Sequence, residues 1–122
     1  MLLMNNFPKL ANPEQYECQL WLYNKNLSEL VIRVSKLDEA FDNGFFFIFQ
    51  MVAWIEAPTR WQGASFAVGS DEICTKMLQQ SGKHPQQVIE AGLYRLFACQ
   101  YEGGEVKIIA GGASCCEAKA FL

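Results

Sequence analysis

A chain of 122 residues with 51% hydrophobic and 19% charged side chains has the size and makeup of one folded domain, which argues against a disordered segment and against two domains. Its 13 acidic and 10 basic residues give a net charge of −3. The charges are mixed, with no Lys/Arg cluster, so neither nucleic acid nor an anionic membrane is an electrostatically suited partner.

The opening Met-Leu-Leu-Met-Asn-Asn-Phe-Pro lacks the basic region and the long apolar run of a secretory signal, which leads us to expect a cytoplasmic protein. Residues 1–12 are expected to be irregular. From Gln15 to Tyr23 the pattern alternates imperfectly, Asn24-Lys25-Asn26 supplies turn residues, and Glu29 to Ser35 alternates again. This predicts a β-hairpin. Lys36 to Gly44 reads as a connecting loop.

Residues 45–55, Phe-Phe-Phe-Ile-Phe-Gln-Met-Val-Ala-Trp-Ile, contain one polar side chain in eleven. The run is too short to span a bilayer as a helix, which needs roughly 20 apolar residues. It predicts one long central strand buried on both faces, ending before Pro58. Phe46, Ile48, Val52 and Trp54 point away from Phe45, Phe47 and Phe49, and that second face needs cover from a curled sheet, another chain or a ligand. Trp61 to Val68 reads as a shorter strand.

Ser70 begins the best helical signal as an N-cap, with Asp71 and Glu72 in the first turn and Gly82 as the stop, giving a main helix over residues 70–81. Ile73, Cys74, Met77 and Leu78 make its apolar stripe. Pro85 opens a second, shorter helix that Gly92 stops. Residues 93–101 also fit a helical pattern, but Gly103-Gly104 directly before Val106 favours a strand and a hairpin. Residues 113–122 are expected to form a loose tail of one domain spanning 1–122. Strands grouped before and after helix predict an α+β fold: a mostly antiparallel sheet of about six strands with one main helix on one face.

No catalytic signature stands out. His84, the only histidine, lies in a polar Gly-Lys-His-Pro loop and reads as a solvated side chain rather than a general base. Five cysteines, Cys18, Cys74, Cys99, Cys115 and Cys116, are scattered and odd in number, without Cys-x-x-Cys spacing, and fit reduced thiols rather than a disulfide framework or a zinc site. Neither a metal nor a cofactor is expected, since no glycine pattern opens a phosphate-binding helix.

Polar residues placed against the apolar pattern are the candidate ligand-binding set: Gln50, Glu56 and Arg95. Each needs a partner or water if buried, and a structural pairing of Gln50 with Arg95, or of Glu56 with Arg60 or Arg95, is the plainer expectation. Trp21, Tyr23 and Trp61 are the candidate interface residues, because exposed aromatic rings are what binding surfaces use. These features predict a non-enzymatic protein that works by protein–protein binding, of the inhibitor or immunity type, and forms a homodimer. The alternative is a small-molecule binder or cofactor-free enzyme with its pocket between sheet and helix.

Overall fold

The computed structural model describes residues 10–39 and 44–117. After a single 3-10 turn at Pro13–Gln15, the chain forms β1 (Tyr16–Asn24), β2 (Glu29–Lys36), β3 (Phe45–Gln50), β4 (Trp54–Glu56), β5 (Arg60–Gln62) and β6 (Phe66–Val68). Two helices follow, α1 (Asp71–Ser81) and α2 (Gln86–Glu90), then β7 (Arg95–Tyr101), β8 (Gly104–Ala110) and β9 (Gly112–Glu117). The described residues thus hold nine strands, in two antiparallel sheets rather than one sheet of about six: a five-stranded sheet ordered β5-β1-β2-β3-β9 and a four-stranded sheet ordered β4-β8-β7-β6.

The difference has a local cause. The apolar run at residues 45–55 is not one strand: Met51 takes a left-handed φ of 53°, which no strand residue adopts, and the chain there leaves the five-stranded sheet. Val52 donates its N–H to Ser28 and Ala53 to Ile109, and Trp54–Glu56 then pairs with β8 in the other sheet. The run is apolar but for Gln50 because it serves two sheets in turn. The same happens between β5 and β6, where Gly63 at φ 117° carries the chain across. The tail expectation also changes, since Gly112–Glu117 is paired along its length with β3; residues 118–122 and 1–9 lie outside the described residues.

The inner faces of the two sheets make the main core. Cys18, Leu30, Ile32, Val34, Phe47 and Phe49 from the five-stranded sheet meet Phe97, Cys99, Val106, Ile108 and Ala110 from the four-stranded one. Phe66 stands edge-on to Phe47, their centroids 5.6 Å apart, and Phe97 edge-on to Phe49 at 5.4 Å. Aromatic rings prefer this geometry to a flat sandwich.

The helices form a third layer. Ser70 caps α1 by accepting from the backbone N–H of Glu72 at 3.1 Å and of Ile73 at 3.3 Å, and Gly82 ends it in the left-handed region at φ 66°, as the sequence led us to expect. Cys74, Met77 and Leu78 of α1 and Ile89 of α2 pack on Leu96 and Ile109, the outward residues of β7 and β8. Ile73, expected on that stripe, is half exposed instead. Both helices therefore sit on the four-stranded sheet, and among the described residues no helix covers the outer face of the five-stranded sheet.

Candidate functional site

The period-two alternation of β2 and β3 decides what that outer face presents. Leu30, Ile32 and Val34 are buried inward, so Glu29, Val31, Arg33 and Ser35 point outward. Likewise Phe47 and Phe49 point in, and Phe46 and Ile48 point out. Register places Val31 beside Ile48 and Arg33 beside Phe46. On the other side of β2, a shift between Leu20 and Leu22 brings Leu22 opposite Val31. Such a bulge leaves its extra residue unpaired and re-aims neighbouring side chains. Here it turns both Trp21 (50% exposed) and Leu22 (57%) toward solvent.

The result is a groove of about 360 Å³ lined by Trp21, Leu22, Glu29, Val31, Phe46 and Ile48. Glu29 is the one charged side chain among these lining residues. The Arg33 guanidinium lies 4.7 Å from the Trp21 ring centroid, a cation–π contact that holds the indole in place. Arg60 pairs with Glu17 at 3.5 Å further along the same sheet.

Of the three candidate interface residues, Trp21 lines this groove and Tyr23 is 46% exposed near the end of the same hairpin. Trp61 is elsewhere. It is only 4% exposed, paired with Cys18 on β5 and packed on Phe66, so its ring finishes the core. Phe46 and Ile48, on the face of the central run expected to need cover, line the groove; Leu22 and Val31 belong to it without having been singled out from the sequence. The bulge that re-aims Leu22 leaves no mark in an alternating pattern, and alternation in β2 does not say which of its faces is covered.

Gln50, Glu56 and Arg95 do not converge. Gln50 ends β3, and its side-chain oxygen is buried with no hydrogen-bond partner among the described residues. Glu56 is exposed on β4 and accepts from the Trp54 indole N–H at 3.3 Å. Arg95 opens β7 and donates from Nη1 to the carbonyls of Gly92 (2.7 Å) and Tyr94 (3.1 Å). None of the expected pairings of Gln50, Glu56 and Arg95 forms; Arg95 instead lines a separate cavity against the helices.

No nucleophile and base stand together among the described residues. His84 meets Tyr94 edge-on, centroids 5.5 Å apart. All five cysteines are free thiols. Burial, the largest cause in each, pushes every thiol up from its ordinary value, Cys115 to about 11. A thiol held protonated is a poor nucleophile. No three His, Cys, Asp or Glu side chains among the described residues are grouped to hold a metal ion, and no described helix is long and apolar enough to cross a membrane. No family model, curated protein or solved structure matches the chain.

Proposed function

We propose that this is a non-enzymatic association protein that works by burying the outer face of its five-stranded sheet against another protein, first of all a second copy of itself. The observation that carries the reading is the side-by-side exposure of Trp21 and Leu22 on a groove whose centre, Val31 and Ile48, is wholly apolar. Apolar centres with charged rims mark protein interfaces, and Trp is among the residues that dominate their energetics.

Charge order along β2 supports a second copy as the occupant. Glu29, Val31 and Arg33 follow one another on the outward side of the strand, acid, apolar, base. A two-fold axis through Val31 sets Glu29 of one copy against Arg33 of the other and repeats the contact on the far side, the self-complementary arrangement that a symmetric dimer requires.

Sedimentation velocity tests this at on the order of 100 µM protein, a concentration that populates even modest affinities. The wild type should sediment as a dimer of the 13.8 kDa chain. Leu22→Glu, at a position already exposed, should return it to a cooperatively folded monomer whose melting temperature no longer rises with protein concentration, while Ile73→Glu on the outward side of α1 leaves the dimer intact. A monomeric wild type, or a dimer indifferent to Leu22→Glu, overturns the reading.

A further inference from the structure

The cavity between the helices and the four-stranded sheet carries a separate inference. It encloses about 450 Å³ and is lined by side chains of α1, of α2 and its following turn, and of the start of β7. That volume lies in the range of small-molecule sites, which combine apolar walls with a few placed polar groups. Leu78 and Ile89 supply the apolar floor, and Asp71, Glu90 and Arg95 the charges.

The position of these charges is unusual. Arg95 spends Nη1 on the carbonyls of Gly92 and Tyr94, two groups of its own turn, and these bonds tie the guanidinium back against the chain. Its Nε and Nη2 have no partner, and neither Asp71 nor Glu90 forms an ion pair, among the described residues. Yet Asp71, Cys74 and Arg95 all line this one cavity. Unlike charges thus share one cavity without closing on each other among the described residues. Asp71 alone is explained by its place in the first turn of α1, where the helix dipole favours an acid, and Glu90 alone by solvent exposure. Neither explanation covers a guanidinium that shares their cavity and pairs with neither of them.

We propose that this cavity binds a small zwitterion of the α-amino-acid class. The ligand's carboxylate sits on the remaining N–H groups of Arg95, its ammonium between Asp71 and Glu90, and a short apolar side chain on Leu78 and Ile89. A planar guanidinium suits a carboxylate because it offers parallel donors, and two carboxylates suit an ammonium with three. The site lies on the helical side of the molecule, away from the groove on the five-stranded sheet, and does not depend on what that groove binds.

The test uses the full chain with glycine, L-alanine, L-valine and L-leucine as probes, each at about 10 mM, ten times a Kd of about 1 mM. Isovalerate and isobutylamine serve as carboxylate-only and amine-only controls. We expect at least one amino acid to raise the melting temperature and to shift backbone amide resonances of residues 71–78 and 89–95, while neither control does. Glu90→Gln changes an exposed side chain and leaves the fold intact; it should weaken that binding about tenfold, a loss of about 1.4 kcal/mol. Arg95→Gln should abolish it. The proposal is overturned if no amino acid produces a localised response, if either control binds as well as the amino acids, or if Glu90→Gln binds as tightly as the wild type.

Discussion

Gln50 is the residue whose environment most changes its expected behaviour. From its place in an apolar run it looks like half of a buried pair with Arg95, and replacing it would then strand its partner. In the fold Arg95 has its own acceptors, while Gln50 Oε1 is buried without a donor among the described residues. An unsatisfied buried amide oxygen costs about 1–3 kcal/mol, which an apolar side chain of similar size does not. Gln50→Leu should therefore be tolerated or stabilise the protein by up to about 1 kcal/mol. A chemical denaturation midpoint that falls in this variant would sink the idea and imply a donor on Gln50.

At the scale of elements the decisive device is the corner at Met51. Its left-handed backbone turns one apolar run into two strands of different sheets, and Gly111 seals the corner by donating its N–H to the carbonyls of Gln50 at 2.9 Å and Met51 at 3.2 Å. A residue with a branched Cβ is strongly disfavoured at such a φ, whereas glycine adopts it at no steric cost. Met51→Gly should be neutral or stabilising by up to about 1 kcal/mol, since the side chain is half exposed and relief of strain offsets the gain in unfolded-chain entropy. Met51→Ile should cost about 1–2 kcal/mol. The reverse order of melting temperatures would mean that the thioether's packing, not the backbone, sets this position. Edge strands are managed in the same economical way. Three of the four edge strands, β4, β5 and β6, have three residues each, too short to template pairing with another chain, whereas the fourth, β9, has six.

For the molecule as a whole, the link between the two sheets runs through a shared carbonyl. Gly63 O accepts from the Cys18 thiol of one sheet at 3.3 Å and from the Cys99 thiol of the other at 3.5 Å, and both sulfurs lie in the main core. Neither sulfur can meet a reagent until the sheets part. Thiol labelling of the native protein should therefore modify Cys116 first, with Cys18 and Cys99 reacting only at the rate of global unfolding; early labelling of Cys18 would show that the sheets open locally. Burial also sets a pH dependence. A thiol pushed up on folding keeps its proton where the unfolded chain releases it, so its contribution is whole below the ordinary value of 9.0 and is lost as pH climbs through the folded one, about 11 for Cys115. Stability should fall between pH 9 and 11, and Cys115→Ala should flatten part of that fall. A variant profile parallel to the wild type would overturn this.

The sequence by itself determined whatever depends on near neighbours. The β1–β2 hairpin, the Ser70 cap and Gly82 stop of α1, the short α2 and the β7–β8 hairpin all follow from turn chemistry and periodicity within a few residues. Even β7, where helical and strand patterns competed, was decided by the two glycines after it. Only the tertiary structure decided how many sheets these strands make and which face is left open. An apolar strand segment reads the same whether it stays in one sheet or crosses to a second, because alternation records that a side chain is buried and not what buries it. For the same reason Trp61 and Trp21, both aromatic residues in the first strand-rich half, end on opposite sides of the division between core and surface. Arg95 was legible as a polar residue out of pattern; that it shares a cavity with Asp71 and Glu90 was not, since the packing of α1 and α2 against the four-stranded sheet builds that cavity, and no local pattern encodes such packing.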